Sequence, residues 1–314
     1  MSRKILLTGL SSFTGAHIAR AFIENGDEVW ASLTQTKNSY NDDYVKRRIE
    51  FSGVKNIIEN APLGSDNFLK SIQEKKFNIF INHGASIKGY RSPDFDFRNS
   101  FSNSTLKLRE IIIALKESGC DRVIHSGSMF EPGEGYSQAP GAPTTESPAV
   151  SIYGVTKNLI WQVLKFFAQE QKLPCSKIVI PNPIGTWENL DRLAPFFAKE
   201  WKSGRVPTLN SAKFIRDNIP APWLARFYLE EALNEEAYSI RRPRGFVISN
   251  KELVEKLANA FSKVLGTECR FNIEDKASSE PLIRKNTEMA PESQDSTEVE
   301  GFWREWASFL HSSI

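Results

Sequence analysis

Lys4-Ile5-Leu6-Leu7-Thr8-Gly9-Leu10-Ser11-Ser12-Phe13-Thr14-Gly15 stands close behind the first residue of the chain. Its apolar run at 4–8 predicts a strand, and the small residues that follow predict a tight turn. Residues 15–25, apolar at Ile18, Ala19, Phe22 and Ile23, predict a helix. A strand that turns directly into a helix makes an anion site, because the first amide N–H groups and the helix dipole point the same way. Gly9 permits the turn, and Gly15 lets the helix approach the strand and a bound pyrophosphate. The pattern is GxxSxxG, with Ser12 where a middle glycine would stand. An ordinary strand-turn-helix corner reads the same way, so the loop alone leaves both readings open.

Outward from that loop, strands are predicted at 28–33, 57–58, 77–82, 122–125 and 177–180, and helices at 66–74, 103–117 and 153–171. Strand and helix alternate, which predicts a Rossmann-type doubly wound parallel sheet, an α/β fold with helices on both faces. Ile79-Phe80-Ile81 and Val123-Ile124-His125 are nearly continuous apolar runs, as strands covered on both faces require. Proline and glycine crowd residues 181–222, which reads as loop. A helix at 226–236, a strand at 245–248 and a helix at 249–265 with a Ser249/Glu252 capping box follow. Residues 274–300 are polar and read as a surface excursion. A short terminal helix carries Phe302, Trp303, Trp306 and Phe309. The expected division is a dinucleotide-binding domain at 1–181, with 214–237 returning to it. A smaller C-terminal α/β substrate-binding domain takes 182–213 and 238–314.

The 314 residues carry 40 Lys+Arg against 38 Asp+Glu, a formal charge of +2, which argues against a nucleic-acid or acidic-membrane partner. Cys120, Cys175 and Cys269 lie too far apart for a disulfide framework or a metal knuckle, which fits a reducing, cytoplasmic setting. His17, His83, His125 and His311 show no metal-ligand spacing, and no apolar run is long enough for a membrane span.

Two short patterns carry chemistry. Tyr153-Gly154-Val155-Thr156-Lys157 is YxxxK, which on a helix puts Lys157 one turn from Tyr153 on the same face. An ammonium near a phenol favours phenolate and makes tyrosine a usable base near neutrality. Ser126-Gly127-Ser128 follows a predicted strand, at the carboxyl end where ligands of parallel sheets sit, so Ser128 is a candidate to hydrogen-bond a substrate oxygen. At the end of the second strand no Asp or Glu follows closely to hold a ribose 2′-hydroxyl. Ser32, Thr34 and Lys37 could take a 2′-phosphate instead, which favours NADP over NAD, unless Lys37 is only a solvated loop residue.

In order and spacing these motifs resemble the extended short-chain dehydrogenase/reductases, the NAD(P)-dependent epimerase/dehydratase family. The match runs from TGLSSFTGAHI through SGSMF, TTESP, SIYGVTK, PNPIG and FIRDNI to GFVISNKELVEKLANAF, nearly the whole chain. The resemblance implies Tyr153 as general acid/base, Lys157 as its partner and holder of the nicotinamide ribose, and Ser128 as the residue that orients the substrate oxygen. It implies Gly9, Ser12, Phe13 and Gly15 around the pyrophosphate. Further cofactor contacts are implied for Thr34, Lys37, Leu63, Gly84, Ala85, Pro181 and Ile184, and for Asn103, with Asn99 as the alternative. Asn182 would touch the substrate sugar and Arg216 a substrate phosphate, the alternative for Arg216 being a salt bridge with Asp217.

The departures narrow the expectation. Met129 and Phe130 stand where 4,6-dehydratases of the family carry acids, which disfavours a dehydratase. Ala61-Pro62-Leu63 replaces the family's Gly-Asp-Leu, and Pro220-Ala221-Pro222 its Val-Asp-Asp. The expected activity is hydride transfer on a nucleotide-linked sugar: a keto-sugar reductase first, a nucleotide-sugar epimerase with retained NAD as the alternative, and a non-catalytic dinucleotide-binding regulator as a third reading. The helices at 103–117 and 153–171 carry more apolar residues than one stripe needs, which predicts a partner on a second face and a homodimer.

Overall fold

The computed structural model describes residues 2–86, 89–90, 92–135, 149–274 and 280–314. In chain order the elements are β1 (Lys4–Thr8), α1 (Phe13–Glu24), β2 (Glu28–Ser32), α2 (Asp43–Phe51), β3 (Asn56–Ile58), α3 (Asp66–Lys75), β4 (Ile79–Asn82), α4 (Phe97–Thr105), α5 (Leu108–Glu117), β5 (Arg122–Ser128), α6 (Ile152–Glu170) and β6 (Cys175–Ile180). Then come β7 (Asn182–Ile184), α7 (Leu193–Lys202), β8 (Thr208–Leu209), β9 (Ile215–Pro220), α8 (Ala221–Glu231), β10 (Tyr238–Arg241), β11 (Pro243–Arg244), β12 (Phe246–Ser249), α9 (Asn250–Leu265), β13 (Asn272–Ile273), β14 (Ile283–Arg284), β15 (Glu288–Met289) and α10 (Ser296–Ser313).

They form two compact units, the first from 2–134, 149–180 and 224–242, the second mainly from 181–223 and 243–314. The division differs from the expected one at several places, with Gly135 and Pro181 falling to the second unit. Residues 214–223 stay with the second unit, where β9 is central, and 238–242 join the first, because β10 pairs with β6.

In the first unit a seven-stranded sheet runs in the order β10-β6-β5-β4-β1-β2-β3. Every pairing in it is parallel. Ile5, Leu6 and Leu7 of β1 and Phe80 and Ile81 of β4 are sealed from solvent, as helices on both faces demand. The chain winds one way through β2 and β3, then crosses back to β4, β5 and β6. The carboxyl ends of β1 and β4 therefore lie side by side at the point where strand order reverses, the place where doubly wound sheets bind ligands.

Local chemistry explains where the elements depart from expectation. α1 starts at Phe13 because Ser12 caps it, its Oγ accepting the Gly15 N–H at 3.0 Å. The stretch 103–117 is two helices, α4 and α5, because Lys107 takes a left-handed φ of +49° between them. α2 forms where no element is predicted, and α7 lies in a stretch that reads as loop. α2 is polar but has an N-cap, Asp42 Oδ1 accepting the Tyr44 N–H at 2.8 Å, and Pro195 sits in the first turn of α7, where proline is tolerated. α8 likewise starts early, with Pro222 in its first turn.

In the second unit β9 pairs antiparallel with β12 along one edge, and parallel with β14 and then β7 along the other. Its core gathers Phe197 and Trp201 of α7, Leu257 and Phe261 of α9, and Trp306 and Leu310 of α10. α9 carries the expected Ser249/Glu252 capping box. Among the described residues, no helix is long and apolar enough to cross a membrane.

Candidate active site

The loop between β1 and α1 has no room for side chains at its glycines. Gly9 has φ +82°, and a Cβ there would stand 2.8 Å from the Gly84 N and Cα atoms, so the turn after β4 abuts the loop. A Cβ on Gly15 would stand 2.2 Å from the Gly9 carbonyl oxygen. Thr8 Oγ1 accepts the N–H groups of His83 and Gly84 at 3.0 and 2.9 Å, which fixes the two turns together. The His83 ring lies behind them. Its Nε2 is 3.1 Å from Ser12 Oγ and 2.8 Å from Thr14 Oγ1, and its Nδ1 is 2.7 Å from Ser126 Oγ. Ser126 Oγ in turn lies 2.6 Å from the Tyr228 hydroxyl. Burial, then the Lys157 charge, push His83 down to about 3, so the ring is neutral. This cradle, closed to a Cβ and opening on a capped helix start, fits the phosphates of a dinucleotide. Ala85 follows at the half-buried edge of the same turn. His83 and Tyr228 escape a motif search because neither belongs to the glycine pattern.

Past the end of β2, acids approach Lys37 from other elements: Lys37 Nζ is 3.3 Å from Glu50 Oε1 of α2, and the Lys37 backbone N–H donates to Glu59 Oε1 at 2.7 Å. Lys37 is therefore neither bare nor merely solvated. Thr34 is exposed, and Leu63 is half-buried against the core that contains Ala61. Asn103 is exposed on α4, and its Nδ2 donates to Asn99 Oδ1 at 3.0 Å, so the two alternatives are a hydrogen-bonded pair.

Ser128 ends β5 and is buried, its Oγ accepting the Phe130 N–H at 3.2 Å. The turn after it packs on the start of α6, where Val150 N–H donates to the Phe130 carbonyl at 3.2 Å. Ser151 caps α6, accepting the Gly154 N–H at 3.3 Å, and thereby starts the helix just before Tyr153. The Tyr153 ring is half-buried among Phe95, Tyr90 and Phe130, at centroid distances of 5.6, 5.7 and 6.5 Å. Burial, then the charges of Glu131 and Tyr90, push the Tyr153 phenol above its ordinary value. That is the reverse of the expected lowering: burial, then the Glu131 and Tyr90 charges, set the direction. Lys157 is itself buried, and burial pushes it down to about 8 against the opposing pull of Glu131, with Lys177 lowering it further. Residues 144–148, the TTESP segment, lie outside the described residues.

In the second unit Asn182 is held by both ends of its amide. Its Nδ2 donates to Asn218 Oδ1 at 2.6 Å, and its Oδ1 accepts from Arg192 Nη2 at 2.6 Å. Arg192 Nε lies 3.6 Å from Glu188 Oε2, and burial pushes the Glu188 carboxyl up to about 7. Pro181 is buried, and Ile184 belongs to this unit's core. Arg216 does not pair with Asp217. Its Nη2 is 3.0 Å from Glu280 Oε2, and its Nη1 donates to the Pro281 and Leu282 carbonyls at 3.1 and 3.0 Å. Asp217 is buried and accepts the Gly245 and Asn286 N–H groups at 2.8 and 2.9 Å. Arg284 stands opposite Arg216 in the strand register, and burial, then the Arg216 charge, push it down to about 10. Arg192 and Arg284 sit in stretches that read as loop and surface, where no motif marks them.

The chain belongs to the NAD dependent epimerase/dehydratase family: the model of that family matches residues 5–230. The doubly wound sheet and flanking helices are the fold of the extended short-chain dehydrogenase/reductases. Among curated proteins the chain has no match in sequence. Among solved structures it is similar to the UDP-N-acetylglucosamine 4-epimerase from Methanobrevibacter ruminantium in complex with UDP-N-acetylmuramic acid. That likeness has a TM-score of 0.77 at 18% identity and covers 100% of this chain and 99% of that one. It is similar to the UDP-glucuronic acid 4-epimerase from Bacillus cereus, solved with UDP-glucuronic acid and NAD, with a TM-score of 0.73, 18% identity and coverage of 99% and 100%. The UDP-glucose 4-epimerase from Thermus thermophilus, solved with NAD, gives 0.69, 15%, 99% and 100%.

Proposed function

We propose that this chain is an NAD-retaining nucleotide-sugar 4-epimerase. The observation that carries the reading is the joint placement of Ser128, Tyr153 and Lys157: the turn that leaves Ser128 packs on the start of the helix that bears the other two. The expectation of a reductase with NADP rests on the lack of an acid after β2. Glu50 and Glu59 at Lys37 remove that ground and favour NAD. Likeness to 4-epimerases, two of them solved with NAD, supports the same choice.

The cofactor, when bound, accepts a hydride from the sugar carbon and returns it. Tyr153 takes the proton of the sugar hydroxyl as that carbon becomes a ketone, and gives a proton back on reduction from the other face. Ser128 Oγ hydrogen-bonds the same oxygen and holds it at Tyr153. Lys157, which keeps its proton below about 8, holds the nicotinamide ribose and supplies positive charge near the phenolate. Gly9, Ser12, Phe13 and Gly15 receive the pyrophosphate, with Gly84 and Ala85 alongside. Asn182 contacts the sugar and Arg216 a substrate phosphate. Phe97 on α4, and Leu159 and Phe166 on α6, are exposed apolar residues that a second copy of the chain would cover, giving a homodimer.

The test is incubation of the protein with UDP-glucose, UDP-glucuronic acid and UDP-N-acetylglucosamine. The expected result is conversion of at least one to its 4-epimer without net consumption of NADH or NADPH. Stoichiometric NADPH consumption with a 4-keto sugar, and no epimer, would return the reductase.

A further inference from the structure

Glu131 is sealed from solvent, yet it meets charge on one side and the reacting segment on the other. Its carboxylate Oε1 accepts the Ser128 backbone N–H at 2.7 Å, and its own N–H donates to the Ser128 carbonyl at 3.0 Å. Both backbone polar groups of Ser128 are therefore held by one residue. Glu131 Oε2 accepts from Lys177 Nζ of β6 at 2.9 Å, and Lys177 also donates to Glu134 Oε1 at 3.0 Å. Glu134 Oε2 accepts from Arg242 Nε, just past β10, at 2.7 Å. Gly127 makes space for the cluster, since a Cβ there would stand 2.8 Å from Glu131 Oε1 and from the Lys177 side chain. The charges of Glu131, Glu134, Lys177 and Arg242 cancel.

Burying the inner members, Glu131, Glu134 and Lys177, is costly, and apolar residues of equal volume often stabilise a core better. Their position under Ser128 gives them a purpose. We propose that Glu131 is a positioning residue: it fixes the turn that carries Ser128 and sets the charge that Tyr153 and Lys157 meet from that side. The proposal rests on the reading of Ser128, Tyr153 and Lys157 as the reacting set. The groups acting on Lys157 are Glu131 and Lys177, and Lys157 in turn acts on His83 and on His125 of β5, both held neutral by burial. Tyr153 meets Glu131 and Tyr90.

The test separates the two actions. E131Q keeps an acceptor for the Ser128 N–H but drops the charge. With the lysine methylenes next to Nζ labelled with carbon-13, and Lys157 assigned by loss of its signal in K157R, its NMR titration midpoint should move down from about 8. The expected shift is about one pH unit, and the alkaline limb of turnover on the three UDP-sugars should move with it. E131Q leaves Lys177 short of a counter-ion and can unfold, so E131Q/K177M, which removes both charges, is made beside it. There the Lys157 midpoint should return toward the parent's. E131A/K177M lacks the acceptor, and its kcat should fall at least about tenfold relative to E131Q/K177M with NAD affinity unchanged, as loss of a buried hydrogen bond implies. A Lys157 midpoint unmoved in E131Q and identical in E131Q/K177M, or a parental kcat in E131A/K177M, overturns the proposal. The titration needs no substrate, so it stands apart from the functional reading, which instead fails if Tyr153→Phe turns over the UDP-sugars like the parent.

Discussion

The Nε2 atom of His83 lies 2.8 Å from the hydroxyl of Thr14, joining the carboxyl end of β4 to the first turn of α1. The same nitrogen reaches the cap residue Ser12 at 3.1 Å, so one neutral ring braces the helix start at which the glycine loop ends. Removing it leaves that loop intact in sequence but unsupported from behind. His83→Ala should weaken NAD binding by about tenfold, the worth of roughly one hydrogen bond to a site that must stay ordered. Calorimetric titration with NAD checks this, and an unchanged Kd would remove His83 from the cofactor site.

The same histidine predicts a pH effect. Its folded value is about 3, below the ordinary 6.5. The unfolded chain therefore binds the proton first as pH falls. The contribution is present above the ordinary value and is lost as pH drops toward the folded one. Near pH 5 that loss is about 2 kcal/mol. Glu188 and Asp217, pushed up by burial, act with the opposite sign: their folded forms hold protons longer and gain stability as pH falls. The measurement is accordingly a difference. Urea unfolding at pH 7 and pH 5 should show a smaller acid loss in His83→Asn than in the parent.

Tyr153→Phe should lower epimerase kcat by about a thousandfold, within the range set by loss of a positioned acid/base. NAD affinity should stay near the parent's, because the glycine loop between β1 and α1 is untouched. Progress curves with the UDP-sugars, together with the NAD titration, check both halves.

The pair Arg122 and Glu231 gives a prediction about stability alone. Arg122 Nη1 lies 3.4 Å from Glu231 Oε1, and both side chains are buried. Arg122 also donates to the Asn234 carbonyl at 2.6 Å, tying the foot of β5 to the end of α8. Glu231→Ala strands a buried guanidinium and should cost about 3–5 kcal/mol. Denaturant unfolding measures it. A cost below about 1 kcal/mol would mean that solvent replaces the carboxylate.

The sheet was legible because its strands are apolar runs with no competing pattern, Ile5-Leu6-Leu7 and Ile79-Phe80-Ile81 above all. The second unit was less so. β7, β8, β14 and β15 span two or three residues each, too few to show a period of two. α7 and α8 hide behind prolines that sit harmlessly in first turns. At the candidate site, patterns contiguous in sequence are legible, and partners adjacent only in space are not. Glu131 lies one position beyond the two that a dehydratase comparison inspects. Its partner Lys177 is on another strand, so no spacing links them. The direction of the Tyr153 shift was also out of reach, since it depends on rings brought by Tyr90 and Phe95, far upstream.

Lys37 has a consequence for cofactor exchange. Its two carboxylate neighbours come from separate pieces of the chain, Glu50 on α2 and Glu59 beyond β3. On the proposed reading an extra phosphate arriving there would meet both carboxylates, and losing either alone leaves one negative charge facing the newcomer. If NAD binds as proposed, preference at this corner is a two-lock arrangement: a variant that loses one carboxylate still sets the other against an added phosphate, so passing from one dinucleotide to the other would take two changes rather than one.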